Sequence, residues 1–320
     1  MRTAQLDQAA WHRLLHGAVM VETAPAAFAV TGSGALTCLQ GLLTNDLEHP
    51  GESSLVYGAL LTPKGAIVVD YWVLRLAGRF LLLAEPAGHD PSLELFRRSL
   101  PPRLARAEDL TGEQRALWLY GERAAHVLEK AGRHLPEHGR VVTQGDVHLG
   151  RPHTAAPFRA LLAGPGAAIA ALVPQLEGAG ATRGAEDERT AAEVLSGWPR
   201  LGAEIEERTL VQEVRYDEIG GVSYTKGCYT GQETVARLHF RGHTNRELKG
   251  LVWDDAQAPS DPIVADADGK ELGTVSSLLL LPGRSIGLGV LRRTVEAGTA
   301  VVAGGATARV TALPFEPPRP

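Results

Sequence analysis

A single cysteine lies in a segment whose residue types favour thiol chemistry. Thr230 and Glu233 have the spacing of a capping box, in which each side chain binds a backbone N–H at the start of a helix. The segment therefore predicts a helix that begins one residue after Thr230. Lys226 and the partial positive charge of this helix start both stabilise a thiolate, which predicts that Cys228 is reactive.

Two other interpretations of Cys228 remain open. The residue is also compatible with a small buried side chain in a loop that merely connects two elements. His239 and His243 have the four-residue spacing of helical metal ligands. Because Gly242 is expected to end the helix between them, a zinc site is disfavoured and no metal is expected.

The elements that must position this segment include both strands and helices. Residues 66–84 contain two β-rich runs about a Gly-containing turn, which predicts an antiparallel hairpin. A helix is expected next, capped by Asp90 and with Pro91 as its first residue. Residues 116–120 are typical of a strand and residues 122–130 of a helix. This order predicts an α+β fold.

The pattern changes after Arg246. Residues 248–313 form short apolar runs separated by turn signals, with no room for a long helix. Closely spaced strands of this kind predict a small C-terminal β-barrel. We place the boundary near Asn245, which gives an N-terminal region of residues 1–245 and a barrel of residues 246–320.

Composition limits the classes of function. The chain has 320 residues, of which 44% are hydrophobic, and a formal net charge of −5. Because it is not a polycation, direct tRNA binding is not expected unless a local basic patch provides it. The sequence contains no apolar stretch of membrane-spanning length, so no membrane association is expected and the cytoplasm is the expected compartment. Cys38 and Cys228 are too few for a disulfide framework, so a functional thiol would act singly.

Four segments resemble one known family. Residues 226–233 read KGCYTGQE, residues 40–46 read QGLLTND, residues 63–65 read PKG, and residues 198–202 read WPRLG. These motifs are similar to those of the YgfZ/GcvT-like folate-binding family, which is related to the aminomethyltransferase (T-protein) of glycine cleavage. The likeness spans most of the chain.

The resemblance implies a three-lobed ring around a central channel. Residues 1–245 would form two interleaved α+β lobes that bind folate, and the C-terminal barrel would form the third lobe. The expected cofactor is tetrahydrofolate or a derivative, and the expected partners are a reduced folate and iron-sulfur client proteins. The implied role is maturation or repair of iron-sulfur proteins and, through them, tRNA thiomodification.

The resemblance also assigns site residues. Cys228 and Lys226 are the expected catalytic residues. The expected folate-binding residues are Asn45, Asp46, Asp70, Trp198, Tyr229, Gln232, Glu233 and Arg237. Asn45 and Asp46 are also compatible with a turn or a cap. Arg237 and Arg241 lie one turn apart and suit the anionic tail of a folate, an RNA phosphate or a solvated helix face.

Two positions depart from the pattern of the aminomethyltransferases. Val69 stands where the first of two aspartates is expected before Asp70, and Leu195 stands where a glutamate would hold the pterin. Glu193 or Trp198 could replace that glutamate by hydrogen bonding or stacking. Three hypotheses follow: an accessory protein for iron-sulfur enzymes that acts through Cys228, a tetrahydrofolate-dependent aminomethyltransferase, and a non-catalytic folate-binding scaffold.

Overall fold

The computed structural model describes residues 1–153, 155–255 and 261–316. In this part of the chain, three β-sheets are accompanied by seven α-helices and two short 3-10 helices. The α-helices are α1 (Gln8–His16), α2 (Ala35–Gln40), α3 (His89–Ser99), α4 (Ala124–Lys130), α5 (Gly166–Gly178), α6 (Glu186–Ser196) and α7 (Gln232–Arg241), and the 3-10 helices are Pro86–Gly88 and Val211–Val214.

Eighteen strands are described. They are β1 (Arg2–Gln5), β2 (Val19–Thr23), β3 (Ala26–Thr31), β4 (Ser54–Leu61), β5 (Ile67–Leu76), β6 (Arg79–Ala84), β7 (Arg106–Asp109), β8 (Gln114–Tyr120), β9 (Val141–Gln144), β10 (Val147–Gly150), β11 (Ala160–Pro165), β12 (Thr182–Arg183), β13 (Arg246–Trp253), β14 (Ile263–Ala265), β15 (Glu271–Leu281), β16 (Arg284–Arg292), β17 (Ala300–Ala303) and β18 (Ala306–Thr311).

The first two sheets interleave in sequence. One has five strands in the order β4-β5-β6-β3-β7, and the other has six in the order β12-β2-β8-β11-β10-β9. The chain passes from β2 in the six-stranded sheet directly to β3 in the five-stranded sheet, and returns from β7 to β8. The two sheets therefore belong to one folding unit rather than to consecutive domains.

The C-terminal strands close into a barrel. Strands β13 to β18 pair in a ring, because β15 contacts both β14 and β16. This confirms the predicted C-terminal β-barrel and the α+β class. The N-terminal strand β1 adds to the barrel through parallel pairing with β15, from Arg2 opposite Ser277 to Gln5 opposite Leu280. The division of the chain at Asn245 stays a prediction.

The five-stranded and six-stranded sheets each contribute the side chains of one face to a shared central core. In β5, Trp72 and Leu74 belong to the large central core, whereas Val69, Tyr71 and Val73 belong to a separate core beneath α2 and α3. Successive side chains of a strand point to opposite faces, so the residues of β5 alternate between the two cores. The six-stranded sheet likewise shares the central core and covers its other face with α4 and α5.

Several expected elements appear with shifted ends. The hairpin of β5 and β6 and the strand β8 are confirmed. Helix α3 begins at His89, not at Pro91, because the 3-10 turn that precedes it runs directly into the helix. Asp90 consequently lies in the first helical turn and is not its cap, which Gly88 provides.

The length and the hydropathy of a helix decide whether it can cross a membrane. Among the helices of the described residues, none combines the length and the apolar character needed to cross a bilayer.

Candidate functional site

A cavity of about 470 Å³ lies where the five-stranded and six-stranded sheets meet. Its walls come from several separate elements. Strands β4, β5 and β8 contribute ring-bearing side chains, helix α6 contributes charged ones, and two loops complete the wall. The side chains that line the cavity include Tyr57, Asp70, Trp72, Glu85, Trp118, Phe158, Arg189, Glu193, Trp198 and Arg200.

Aromatic rings form one side of this central cavity. The rings of Trp72 and Trp198 are nearly parallel, with 5.5 Å between centroids and 12° between planes. Tyr57 packs against Trp198 at 4.6 Å, and Phe158 meets the edges of Trp72 and Trp118 at 4.9 and 4.7 Å. A wall of flat π surfaces suits a planar aromatic ligand, which would gain both burial and stacking.

A buried carboxyl faces the cavity beside the rings. Asp70 accepts a 2.6 Å hydrogen bond from the hydroxyl of Tyr57, and the hydroxyl of Tyr216 lies 3.3 Å away. Burial raises the pKa of Asp70 to about 6, although the hydrogen bond from Tyr57 acts in the opposite direction. A carboxyl in this pKa range can exchange a proton near neutral pH.

The neighbouring Val69 does not belong to this cavity. It precedes Asp70 in β5, so its side chain projects from the opposite face of the sheet into the core beneath α2 and α3. A carboxylate at this position would also face away from the central cavity. Val69 therefore does not change the set of acid/base groups that face the central cavity.

Three arginines surround one glutamate on the opposite side of the cavity. Glu193 of α6 lies 2.5 Å from Arg2, 3.0 Å from Arg189 and 2.6 Å from Arg200. Burial acts to raise the pKa of Glu193, but the three guanidinium groups outweigh it and lower the pKa. Arg189 also pairs with Glu85.

The arginine cluster retains unused donors. Among the described residues, Arg2 Nη2, Arg200 Nη2 and Arg200 Nε are buried without a hydrogen-bond partner, although the two Nη2 atoms lie within ion-pair distance of a glutamate. An unpaired buried N–H is costly, so it favours an acceptor that enters from the cavity. The predicted substitute Glu193 lies in this cavity, but its carboxylate is already committed to arginines.

The structure places Cys228 on the surface. The cysteine is exposed and lies outside the central cavity, in the loop before α7. We define the thiol loop as residues 226–231. Its position excludes the interpretation of Cys228 as a buried apolar residue. Its role in catalysis stays a prediction.

Lys226 anchors the thiol loop. Its ammonium group donates to three backbone carbonyl oxygens, those of Gln40 and Leu43 at 2.7 Å and of Asn45 at 2.9 Å. Burial lowers the pKa of Lys226 to about 8, with Asp46 acting in the opposite direction. The observed contacts therefore give this cation a structural role, and its predicted role in catalysis stays a prediction.

The predicted capping box is wrong. Helix α7 begins at Gln232, and its cap is Gly231, which makes no side-chain cap hydrogen bond. Gly231 has φ +82° and sits against Thr62 O, where a Cβ would lie only 2.5 Å away. Because the chain turns through this left-handed residue, Thr230 is not in the cap position. The Gln232 side chain instead accepts from the N–H of Tyr229 at 3.0 Å.

The segments that carry the family motifs meet in space. The N–H of Thr230 donates to the carbonyl of Gly41 at 3.0 Å. Gly65 has φ +86° and approaches α7 so closely that a Cβ there would lie 2.8 Å from the Cβ of Thr234. Residues 40–46, 63–65 and the thiol loop thus form one packed unit.

The side chains of Asn45 and Asp46 form hydrogen bonds with backbone groups around them. Asn45 Nδ2 donates to the carbonyls of Tyr57 and Gly220 at 2.8 and 2.7 Å. Asp46 Oδ1 accepts from Gln40 Nε2 and from the backbone N–H of Glu48. Both residues line a separate cavity of about 370 Å³, so they are not brought to the central one.

The remaining expected folate residues are divided between two places. Asp70 and Trp198 line the central cavity. Tyr229 is buried under the ammonium of Lys226, 5.2 Å from its ring. Gln232, Glu233 and Arg237 lie on α7, where Glu233 and Arg237 are exposed. Folate contact by the residues of α7 stays a prediction.

Sequence reasoning missed most of the cavity wall. The missed residues are Tyr57, Trp72, Trp118, Phe158, Arg189, Arg200 and, behind Asp70, Tyr216. One signal was available, because the chain has only five tryptophans and three of them line this cavity. Their sequence separation gave no indication that they meet.

Comparison with solved structures identifies the class of fold. The structure superposes on the glycine cleavage system aminomethyltransferase T from Bartonella henselae with a TM-score of 0.84 and 21% sequence identity, covering 96% of this chain and 89% of that one. The fold is thus of the GcvT type, with three lobes around a centre. A GCVT N-terminal domain model matches residues 14–138.

Sequence relatives identify the family. The chain is 30% identical over 243 residues to the tRNA-modifying protein YgfZ of Hamiltonella defensa, covering 74% of this chain and 70% of that relative. It is 28% identical over 224 residues to the YgfZ of Colwellia psychrerythraea, covering 69% and 67%, and 27% identical over 233 residues to that of Escherichia coli, covering 72% and 70%. The chain belongs to the YgfZ/GcvT-like folate-binding family.

Proposed function

We propose that this protein binds a reduced folate in its central cavity and supports tRNA modification through iron-sulfur client proteins, with Cys228 as its reactive thiol. The observation that carries the proposal is the central cavity, where flat aromatic rings, the buried carboxyl of Asp70 and an arginine cluster around Glu193 converge. The relatives named tRNA-modifying protein YgfZ support the link to tRNA modification.

The residues of the cavity fit a folate. Trp72 and Trp198 would stack on its flat rings, and Asp70 would pair with the polar edge of the pterin. Arg189 and Arg200 are paired with Glu85, Glu186 and Glu193, and the unpaired Nε of Arg200 would provide a donor for the glutamate tail. The volume of about 470 Å³ lies within the range of about 300–1,000 Å³ that small-molecule sites occupy. A bound tetrahydrofolate supplies a carrier for one-carbon units.

The exposed thiol suits contact with another macromolecule. Cys228 projects from a loop that the ammonium of Lys226 fixes to residues 40–45. An accessible sulfur on an anchored loop can reach a client protein without a large loop rearrangement. Cys228 would act either as a transient ligand or as a nucleophile.

The aminomethyltransferase hypothesis stays as a second candidate because Asp70 faces the cavity and Val69 does not. The retained carboxyl is the group that a folate-dependent transferase would need beside the bound cofactor. Folate-dependent turnover of an aminomethyl donor by the purified protein would favour this candidate.

Complementation tests the proposal. A bacterial strain deleted for its own relative would receive the wild-type chain, Cys228→Ser or Trp198→Ala, and iron-sulfur enzyme activity and tRNA thiomodification would be measured. We expect the wild type to restore both and each variant to fail. Cys228→Ser changes an exposed residue and should unfold near the wild-type temperature, whereas Trp198→Ala removes a buried ring and should unfold at a lower temperature, so its expression is adjusted to give the wild-type level of folded protein. Full rescue by Cys228→Ser would contradict the thiol role and leave the non-catalytic scaffold. Full rescue by Trp198→Ala would contradict the folate role.

A further inference from the structure

The exposed end of α7 carries an aromatic and cationic surface that the central cavity does not use. We define the α7 platform as Tyr224, Arg237, His239, Phe240 and Arg241. Phe240 is 67% exposed although it is a large apolar side chain, and both arginines are exposed. Isolated exposed apolar residues are common, but this one stands within a group of stacked rings.

Hydrogen bonds hold the rings of the α7 platform in place. Tyr224 and His239 stack with 3.7 Å between centroids and 18° between planes. Asp217 fixes both, because it accepts from the Tyr224 hydroxyl and lies 3.2 Å from Nδ1 of His239. Phe240 meets the ring of His239 edge to face at 4.7 Å. The surface is therefore ordered before any partner arrives.

The charges of the α7 platform are available to a partner. Arg237 and Arg241 lie one turn apart, and neither forms an ion pair within the described residues. Asp217 contacts the platform through Tyr224 and His239, and Glu233, the acidic residue of α7, lies at the opposite end of that helix. The chain as a whole carries −5, so this end of α7 is a local cationic patch of the kind that an RNA partner requires.

We propose that the α7 platform binds single-stranded RNA, with an unpaired base on Phe240 and phosphates on Arg237 and Arg241. This inference rests on the proposed function, since it names a partner for a protein of tRNA modification. Exposed aromatic rings bounded by arginines are the chemistry of single-strand recognition, because each base offers a π face and each nucleotide a phosphate. A duplex hides its base faces and would use the arginines alone.

The position of the α7 platform connects it to the thiol loop. Tyr224 precedes Cys228 by four residues, and α7 follows that loop directly. Phe240 and Arg241 lie at the far end of α7 from that loop, about 12 Å along the helix axis from Gln232, so only a strand of several nucleotides would extend from them to the exposed thiol. The alternative occupant is a protein partner. Such a partner would bury the apolar surface of Phe240 and would not need to stack on its ring face.

Fluorescence anisotropy with a labelled single-stranded RNA of about 12 nucleotides tests the proposal, because single-strand sites span about 4–16 nucleotides. We expect saturable binding by the full chain and weaker binding to a blunt RNA duplex of the same length. Phe240→Ala and Phe240→Leu should each weaken binding by about 5- to 100-fold, while Phe240→Trp should retain it. The double variant Arg237→Gln/Arg241→Gln should reduce the magnitude of the slope of log affinity against log salt by about 1.4, or about 0.7 for each lost phosphate contact, between about 50 and 200 mM.

Controls separate this inference from the proposed function. Arg98→Gln removes an exposed arginine of α3, whose side chain is 70% exposed, and should leave RNA affinity unchanged. Phe240→Ala should leave folate binding unchanged, because Phe240 lies outside the central cavity. No saturable RNA binding, equal affinity for the duplex, or full affinity in Phe240→Leu would overturn the proposal, the last of these favouring an apolar protein contact. If the wild-type protein binds RNA but does not bind folate, only the folate proposal is overturned.

Discussion

The hydroxyl of Tyr57 donates a 2.6 Å hydrogen bond to the buried carboxyl of Asp70. The same hydroxyl lies 3.0 Å from that of Tyr216, so a carboxyl and two phenols form one polar group inside an apolar surrounding. This group reaches the cavity through Asp70 and Tyr57. Asp70, with its pKa raised to about 6, can hold a proton here near neutral pH.

Replacement of Asp70 should change how stability depends on pH. Burial raises the pKa of Asp70 to about 6, above the ordinary value of about 3.9, so the folded state holds this proton more tightly than the unfolded state. The resulting stability is fully present below about pH 4 and is lost as the pH rises through about 6. Asp70→Asn cannot ionise, so the free energy of unfolding of the variant relative to wild type should rise by up to about 3 kcal/mol between about pH 4 and pH 7. Urea unfolding at a series of pH values measures this difference, and a constant difference would contradict it.

The contribution of His148 to the free energy of unfolding should depend on pH in the opposite sense to that of Asp70. Its Nε2 lies 3.2 Å from Nη2 of Arg79, which can only donate, so Nε2 is unprotonated. Burial lowers the pKa of His148 to about 4, with a further contribution from the charge of Arg79. The unfolded state therefore binds the proton first, and the wild type should lose up to about 3 kcal/mol relative to His148→Gln as the pH falls from about 7 to about 4. Urea unfolding of both proteins at a series of pH values checks this prediction. If the two plots of unfolding free energy against pH are parallel, the prediction is wrong.

Loss of the Lys226 ammonium should loosen the thiol loop. Lys226→Met leaves the carbonyls of Gln40, Leu43 and Asn45 without their donor, which should cost about 3 kcal/mol of unfolding free energy. Lys64→Met is the matched control, because Lys64 is exposed, and it should change stability by less than about 0.5 kcal/mol. Hydrogen exchange of residues 226–231 should accelerate in the first variant only. Equal stability of the two variants would mean that the three carbonyl contacts contribute nothing.

Gly65 should tolerate a side chain less well than another glycine with similar backbone angles. Gly65 and Gly78 have φ values of +86° and +74°, so alanine is strained at both, by about 1–2 kcal/mol. At Gly65 the new Cβ would also meet the Cβ of Thr234 at 2.8 Å, whereas Gly78 has nothing within 4 Å. Thermal unfolding of Gly65→Ala should therefore show a further loss of about 1–3 kcal/mol relative to Gly78→Ala. If the two variants lose the same unfolding free energy, α7 must shift away from the new methyl group without a cost in stability.

The local elements near the motifs could be predicted from the sequence, and the cavity could not. The β5–β6 hairpin and the barrel strands follow from alternating apolar residues and turn signals over short distances. The pairing of Trp72 with Trp198 depends on two sheets that exchange strands, and no local pattern encodes that exchange. Strand alternation alone would have placed Val69 and Asp70 on opposite faces.

The thiol loop shows the same division between local and distant information. Its residue types were sufficient to single out Cys228, which the structure places on the surface. The partners of Lys226 lie about 180 residues away in sequence, so its anchoring role required the tertiary structure. The capping box failed because Gly231, which has a positive φ and packs closely against residues 61–65, takes the cap position, so that α7 starts at Gln232.

Calorimetric titration of the purified protein with tetrahydrofolate tests the central claim most directly. We predict saturable binding at about one equivalent, with affinity reduced about 10-fold or more by Trp198→Leu, since an aromatic contact of this kind contributes about 1.5 kcal/mol. Val142→Ala, which alters an exposed apolar residue away from the cavity, should bind as the wild type does. Heats that never saturate, or undiminished affinity in a folded Trp198→Leu protein, would contradict the assignment of the aromatic cavity to folate.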